Sequence, residues 1–193
     1  MGKLVLASSS PRRQELMKMM GLDFLIMPGS VDEGKYSSLE PVDMARELAR
    51  AKAEAVAGQF EEAVVIGSDT IVVLDGAVMG KPADKSEAVE ILKKMQNRQH
   101  TVITGLAVCD SRTGKTCIDY DKTEVYMMPM SDNDIISYVN TGEPMDKAGA
   151  YGIQGIGGVF IKKIVGSYYT VVGLPIHKLA VMLREFGIFI FDS

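Results

Sequence analysis

A carboxylate, Asp69, lies inside an apolar run, and a lysine, Lys81, follows that run. In the segment GSDTIVVLDGAVMGK, residues 67–81, a polar step (GSDT) separates two strand-like apolar runs, and Lys81 follows a tight Asp-Gly turn. A carboxylate in such a run is costly to bury unless it is paired or binds a ligand or metal. Asp69 is therefore either a structural carboxylate with a partner or a group that does chemistry.

A second polar group opens a predicted helix. The residues from Ser8 to Arg13 read SSSPRR and follow the apolar run Leu4–Ala7, a pattern typical of a strand followed by a helix with a serine N-cap and an early proline. Free N–H groups at a helix N-terminus favour an anion. Because positive charge in the first turn opposes the helix dipole, Arg12 and Arg13 favour an anion site over a solvated N-cap. The sequence lacks the phosphate-loop pattern G-x-x-x-x-G-K-[ST].

A lysine falls on the apolar face of the predicted helix Val42–Ala57. On a helical wheel, Lys52 lies within the arc formed by Val42, Ala45, Leu48, Ala49 and Val56. Either its side chain extends along this face to reach solvent, or its ammonium points into a cleft that the face lines. The pattern alone leaves both interpretations open.

Three acidic residues are candidates for a metal site. Asp32 and Glu33 lie in a polar loop, where such a pair is usually solvated, and Asp69 is the third. Carboxylate oxygens of this kind suit Mg²⁺ or Mn²⁺ bound to phosphates. A carboxylate beside such a metal can also orient or deprotonate water.

The segment AGAYGIQGIGG, residues 148–158, is rich in glycine. Glycines let the backbone approach a flat ligand, and the amide of Gln154 can both donate to and accept from a base edge. A turn-rich connection is an equally good interpretation of this composition.

Four cations lie near predicted strand ends: Arg12, Arg13, Lys52 and Lys81. Together with the carboxylates, they predict a site for a triphosphate and a divalent metal.

Composition narrows the class of protein. The 193 residues, 47% hydrophobic and 24% charged, predict a single domain, 1–193, with two lobes. A net charge of -4 argues against a nucleic-acid partner. No apolar stretch is long enough for a signal peptide or a membrane span, and Cys109 and Cys117 suit reduced thiols, so we expect a cytoplasmic protein without a membrane partner.

Strand and helix patterns alternate along the chain, with hairpin signals among them. This predicts an α/β fold with a mixed β-sheet flanked by helices. Two late predictions are a strand at Tyr169–Val172 and a helix at Pro175–Phe186. The apolar ending FGIFIFDS could pair with the sheet edge or with a partner subunit, which leaves a homodimer open.

Taken in order, these motifs resemble the Maf family of nucleoside triphosphate pyrophosphatases. The matching stretches are LVLASSSPRRQELM, the Asp32-Glu33 pair, ARAKA around Lys52, VIGSDTIVVLDGAVMGKP, HTVITGLAV, TGEPMDKAGAYGIQGIGG and GSYYTVVGLP. They cover the chain from about residue 3 to residue 187. SSSPRR alone would not be specific, whereas the whole series is.

The resemblance implies hydrolysis of a nucleotide between its α- and β-phosphates, with a divalent metal, Mg²⁺ or Mn²⁺. It implies an elongated fold similar to inosine triphosphatases, with two lobes around a nucleotide cleft. It places the catalytic carboxylate on Asp69, and we expect Glu33 and Asp69 to bind the metal. The other family site positions fall on Ser8, Arg12, Arg13, Lys52, Lys81 and Gln154.

The resemblance also favours one branch of the family. One branch prefers dTTP and UTP, the other 7-methyl-GTP, and they differ at the positions of Arg12, Thr70 and Gln154. The residues here resemble the dTTP/UTP branch, since the other typically has Trp and Gln at the first two positions. Thr170 is a small departure from many relatives.

Two rival functions remain. One is the same chemistry on 7-methyl-GTP or inosine nucleotides, and the other is a non-enzymatic, nucleotide-responsive regulator of septum formation.

Overall fold

The computed structural model describes residues 2–191 and contains a seven-stranded sheet with flanking helices, as predicted. The strands are β1 (Lys3–Leu6), β2 (Leu25–Ile26), β3 (Ala63–Leu74), β4 (Ala77–Met79), β5 (Gln99–Asp110), β6 (Thr116–Met127) and β7 (Ile161–Val165). The helices are α1 (Pro11–Met19), α2 (Pro41–Ala57), α3 (Lys85–Met95), α4 (Asp132–Asn140), α5 (Tyr168–Val172) and α6 (Ile176–Arg184). Short 3-10 turns cover Glu33–Tyr36, Glu143–Asp146, Ala148–Ala150 and Ile156–Phe160.

The sheet is mixed because the chain uses both crossovers and hairpins. Its hydrogen-bonded order is β2-β1-β3-β5-β6-β7, and β4 pairs with β3. β1 runs parallel to β2 and to β3, so that Val5 lies opposite Leu25 on one side and Val65 on the other. The pairs β3–β4 and β6–β7 are antiparallel. Parallel neighbours require the helical crossovers α1 and α2, which follow β1 and β2.

The chain divides into two units. The first contains residues 1–69, 104–121 and 173–193, and the second contains residues 70–103 and 122–172. The first has an apolar core between α2 and strands β1, β3 and β5, and the second has one that includes residues of α3 and α4. The expectation of one domain, 1–193, with two lobes stays a prediction.

Helix α2 packs directly on bare backbone in the first unit. A Cβ atom at Gly67 of β3 would lie 2.1 Å from the carbonyl oxygen of Ala49, and one at Gly105 of β5 would lie 2.1 Å from that of Ala45. Real Cβ atoms do not approach an oxygen so closely. The two glycines therefore allow α2 to lie closer to the sheet than any side chain would permit.

Strand β3 runs without a break through the polar step that the sequence suggested as an interruption. Ser68 is fully buried, and its hydroxyl lies 3.0 Å from the carbonyl oxygens of both Gly105 and Gly173. Asp69 is paired with Lys52. Because both polar side chains have partners, they do not force the strand to end.

The predicted strand at Tyr169–Val172 is wrong, since this segment belongs to helix α5. Its aromatic and β-branched residues suggested a strand. However, Gly166 and Gly173 bracket the segment with φ angles of 127° and 113°, and the chain between them forms a single helical turn.

The helix predicted near the C-terminus is present. The last helix is α6, shorter at both ends than predicted, with Pro175 as its N-cap. Residues 186–191 form no strand, and the final Asp192 and Ser193 of the apolar ending lie outside the described residues. Among residues 2–191, no helix is long and apolar enough to cross a membrane.

Candidate active site

Lys52 connects two carboxylates in the first unit. Its Nζ lies 2.5 Å from Asp69 Oδ1 and 2.8 Å from Glu33 Oε1. The side chains of Lys52 and Asp69 are 14% and 13% exposed, whereas that of Glu33 is 56% exposed. Of the two interpretations of Lys52, the structure favours the one in which the ammonium points at other groups, because the side chain does not extend into solvent.

Close backbone packing brings these three groups together. Gly67 lies two residues before Asp69 and holds β3 against α2, the helix that carries Lys52. Gly29 passes over the same helix, where a Cβ atom would lie 2.6 Å from the Lys52 carbonyl oxygen. The chain then enters the 3-10 turn that begins with Glu33.

The neighbouring Asp32 has a different environment from Glu33. Its Oδ1 accepts a hydrogen bond from the N–H of Gly34 at 3.2 Å, so it caps the 3-10 turn. Of the Asp-Glu pair, the structure therefore places only Glu33 against Lys52.

Arg13 is held in a fixed orientation at the start of α1. Its Nε donates to the Gly173 carbonyl at 2.8 Å, and its Nη1 donates to Ser8 Oγ at 3.2 Å. Ser8 Oγ also accepts from the N–H of Ser10 at 3.2 Å. The N-cap Ser10 makes no side-chain capping bond, and the first turn contains no acidic residue. The start of α1 therefore presents positive charge together with N–H groups that the Ser10 side chain does not cap.

The electrostatics of Arg13 show which charges surround it. Burial lowers its pKa below the ordinary value for arginine. The nearby carboxylates of Asp69 and Glu33 oppose this effect, whereas the charge of Arg12 adds to it. Because the arginine side chain keeps its proton in proteins, Arg13 is a cation here. The structure thus brings together six of the predicted residues: Ser8, Arg12, Arg13, Glu33, Lys52 and Asp69.

The remaining predicted residues belong to the second unit. Thr70 is half-buried in β3, directly after Asp69. Lys81 is exposed just after β4, and Gln154 is exposed in the glycine-rich segment. The segments of Lys81 and Gln154 meet through their backbones, because the N–H of Gly149 donates to the Gly80 carbonyl at 3.1 Å.

Asp69 and Glu33 are the carboxylates that could bind a metal. Within the part of the chain that the structure describes, no three or more His, Cys, Asp or Glu side chains form a group that could hold a metal. Glu33 and Asp69 nevertheless direct oxygens toward one cation, the Lys52 ammonium. Two carboxylates of this kind fit Mg²⁺ or Mn²⁺, which complete their coordination shells with water and phosphate oxygens.

Sequence reasoning missed three residues that support the site. Ser68 and Gly173 link Arg13 to β3, since the Gly173 carbonyl lies within hydrogen-bond distance of both side chains. The polar step GSDT could have suggested a role for Ser68. Glu143 accepts hydrogen bonds from the backbone of the glycine-rich segment. No sequence pattern indicated this role, because the backbone N–H groups that it binds lie in an irregular segment.

Comparison with known proteins then identifies the family. The sequence model described as "Maf: Maf-like protein" matches residues 3–186. This chain belongs to the Maf family. A dTTP/UTP pyrophosphatase of Pelotomaculum thermopropionicum is 51% identical to it over 187 residues, covering 97% of this chain and 98% of the relative. A dTTP/UTP pyrophosphatase of Caldicellulosiruptor saccharolyticus is 46% identical over 191 residues, with 97% and 96% covered.

Solved structures of other proteins share the fold of this Maf protein. A HAM1 protein from Coxiella burnetii matches with a TM-score of 0.51 and 17% identity, covering 96% of this chain and all of that one. The Staphylococcus aureus Ham1 protein matches with a TM-score of 0.53 and 17% identity, covering 95% and 99%. At this identity the likeness concerns the fold alone.

Proposed function

We propose that this Maf protein is a nucleoside triphosphate pyrophosphatase that hydrolyses dTTP and UTP to the monophosphate and pyrophosphate. The observation that carries the proposal is Lys52 held between Asp69 and Glu33, with Asp69 also acting on the guanidinium of Arg13. Relatives that carry the name dTTP/UTP pyrophosphatase support it, at 41–51% identity over nearly the whole chain.

The cations are proposed to hold the triphosphate. Arg12 and Arg13 lie in the first turn of α1, where backbone N–H groups and the helix dipole also favour phosphate. Arg13 offers a preset planar donor group, because the Gly173 carbonyl and Ser8 fix its orientation. Lys52 and Lys81 are proposed to contribute two further positive charges. Such fixed charges stabilise the negative charge that develops as pyrophosphate leaves.

Asp69 is proposed to act as the base. It accepts a proton from water, and the water oxygen forms a bond to the α-phosphorus. The bond from that phosphorus to the oxygen bridging to the β-phosphate breaks, so that pyrophosphate leaves with the bonding electron pair. Lys52 holds this carboxylate in one orientation through its 2.5 Å contact. A divalent cation, Mg²⁺ or Mn²⁺, held by Glu33 and Asp69, would neutralise charge on the phosphates.

Gln154 is proposed to recognise the nucleobase of the substrate, with Arg12 and Thr70 as further specificity residues. Gln154 is exposed, and its amide can pair with the donor and acceptor edge of a pyrimidine. The same chemistry on 7-methyl-GTP is the alternative, and a nucleotide-binding regulator of septum formation is the non-enzymatic one. We further propose that the two units form one domain. We also propose that the protein acts in the cytoplasm, where it removes unwanted or modified pyrimidine nucleotides.

The deciding experiment is a measurement of pyrophosphate release from dTTP, UTP, 7-methyl-GTP and ITP, each with Mg²⁺, Mn²⁺ or a chelator. We expect metal-dependent cleavage of dTTP and UTP above the others. Preference for a purine nucleotide would keep the chemistry and overturn the specificity assignment. Nucleotide binding without any pyrophosphate release would overturn the assignment as an enzyme and favour the regulator.

The variant Asp69→Asn tests the role of the carboxylate. We expect kcat to fall at least about 1000-fold with folding nearly intact, since the residue would lose its basic group. Asp119→Asn is the matched control, because Asp119 also pairs with a lysine, Lys178, at 2.8 Å in the same unit. Full activity of Asp69→Asn would contradict the assignment of Asp69 as the catalytic base.

A further inference from the structure

The loop that carries Gln154 is held by two side chains from outside it. This loop, residues 152–158, donates three backbone N–H groups to them. The N–H of Gly152 donates to Tyr138 Oη at 3.2 Å. The N–H groups of Ile156 and Gly157 donate to the two Glu143 carboxylate oxygens at 2.9 Å and 3.0 Å. Gln154 therefore lies between two attachment points, each no more than three residues away.

The two side chains act as a single unit, which we call the loop anchor (Tyr138 and Glu143). Tyr138 Oη donates to Glu143 Oε1 at 2.8 Å while it accepts from Gly152. Tyr138 belongs to α4, is 3% exposed, and its ring makes an edge contact with Phe160 at 5.4 Å between centroids. A buried ring on a regular helix cannot change its position freely, so it gives the loop a rigid base.

The loop packs against the anchor without space for side chains. A Cβ atom at Gly155 would lie 2.3 Å from Glu143 Oε2, and one at Gly157 would lie 2.3 Å from Tyr138 Oη. Glycine at positions 155 and 157 therefore lets the backbone reach a carboxylate and a phenol. Gln154 itself remains exposed.

The charge on Glu143 suits this role. Partial burial acts to raise the pKa of Glu143, but the hydrogen bonds from Gly157, Ile156 and Tyr138 and the charge of Lys147 outweigh it, and the pKa is lowered. The carboxylate is ionised when it accepts these bonds. Hydrogen bonds from backbone N–H groups to an ionised carboxylate are stronger than those to a neutral acceptor.

We propose that Glu143, together with Tyr138, is a positioning residue for base recognition. It fixes the loop so that Gln154 presents its amide to the pyrimidine in one orientation. The inference rests on the proposed function, because it deepens the role of Gln154 in that reaction. Neither residue of the loop anchor contacts the reacting phosphates in this proposal.

The test combines kinetics with amide exchange. Glu143→Gln replaces one accepting oxygen with an NH₂ group that faces backbone donors, and Tyr138→Phe removes the hydroxyl that joins the anchor to Gly152. For each variant, kcat and KM are measured for dTTP, UTP and ITP, and hydrogen–deuterium exchange is measured for residues 152–158. We expect faster exchange in this loop, a KM for dTTP raised about tenfold by the lost charged hydrogen bonds, and a smaller preference for pyrimidine over ITP. The kcat should change by no more than about threefold, since the phosphate site is intact.

A similar pair on the surface of a strand provides the control. Tyr126 Oη donates to Glu124 Oε2 at 2.9 Å in the same unit, so Tyr126→Phe and Glu124→Gln make the same chemical changes away from the loop. These variants should leave exchange in residues 152–158 and nucleotide preference unchanged.

The outcomes separate this proposal from the proposed function. Unchanged exchange or an unchanged base preference in Glu143→Gln would overturn the positioning role, as would a loss of kcat with preference retained. If the wild-type protein releases pyrophosphate from none of the nucleotides, the proposed function fails and the role in base recognition falls with it. Faster loop exchange in that case would still identify Glu143 as the attachment point of the loop.

Discussion

Arg13 Nε donates a hydrogen bond to the Gly173 carbonyl over 2.8 Å, although the two residues are 160 positions apart in the chain. The same carbonyl lies 3.0 Å from the hydroxyl of Ser68 in β3. One backbone oxygen thus ties the start of α1 to the strand that carries Asp69. The guanidinium is oriented before any ligand arrives, which lowers the cost of ordering it on binding.

Replacement of Arg13 by lysine should weaken substrate binding. A lysine keeps the charge but cannot bond to Gly173 and Ser8 while presenting a planar donor pair to phosphate. We expect Arg13→Lys to raise the KM for dTTP about tenfold or more, measured by steady-state pyrophosphate release. Arg50→Lys is the control, since Arg50 bonds only to Glu47 and Glu54 in the hydrogen bonds described for it on α2. Equal effects of the two variants would contradict the prediction.

Removal of the Lys52 charge should abolish most of the activity. Lys52→Gln leaves Asp69 and Glu33 without the cation that lies between them and removes a charge proposed to face the triphosphate. We expect kcat/KM for dTTP to fall by about 100-fold or more, as for loss of one preorganised electrostatic group. Lys178→Gln, which breaks a comparable contact with Asp119, should keep kcat/KM within about twofold. Retention of activity in Lys52→Gln would remove it from the site.

A single methyl group at Gly67 should disrupt the site by moving a helix. The Cβ of Gly67→Ala would lie 2.1 Å from the Ala49 carbonyl oxygen, so α2 must shift away from β3. We expect a loss of about 3 kcal/mol in the free energy of unfolding, measured by urea denaturation. Activity should fall with it, because Lys52 moves with the helix.

Gly58→Ala is the matched control for that substitution. Gly58 lies at the end of the same helix with φ of −61°, and the nearest atom to its added Cβ would be 3.7 Å away. This change should be neutral or slightly stabilising, because alanine restricts the unfolded chain. Similar destabilisation in both variants would show that the contact at Gly67 is not the cause.

Local signals in the sequence indicated Lys52 and the start of α1 as parts of the candidate site. The helical period placed Lys52 on the apolar arc of α2, and the serine–proline start of α1 marked its N-terminus. Which group Lys52 meets could not be read from the period, since that depends on Gly67 and Gly105 in strands distant in sequence.

Other features depend on contacts that leave no periodic trace. The Glu143 bonds join two irregular segments, and no pattern predicts which backbone N–H groups a carboxylate will meet. At Tyr169–Val172 local strand propensity pointed the wrong way, because flanking glycines with positive φ set the chain direction there.

His100 should make stability depend on pH in mildly acidic solution. The residue is 2% exposed, its Nε2 lies 2.7 Å from Tyr151 Oη, and burial lowers its pKa from 6.5 to about 4. Below pH 6.5 the unfolded chain binds a proton that the folded chain does not. The stability present at neutral pH is therefore lost as the pH falls from 6.5 toward 4.

The variant His100→Gln measures this contribution. Glutamine can still bond to Tyr151 but has no titrating group, so the fall of about 3 kcal/mol expected between neutral pH and pH 4 should largely disappear. Urea denaturation at several pH values gives the slope for each protein. His177→Gln, at a histidine whose side chain is 54% exposed, should retain the wild-type slope. The same slope in His100→Gln would assign the acid sensitivity to other groups.

The contact of α2 with the bare backbone of Gly67 and Gly105 also restricts how this core can change during evolution. In an ordinary core, a larger side chain at one position can be offset by a smaller one opposite, because rotamers adjust. Here the opposing atoms are the backbone carbonyl oxygens of Ala49 and Ala45, which no side-chain substitution can remove. In a library randomised at these two positions, selection for activity should return glycine at both, whatever residues are allowed on the facing surface of the helix.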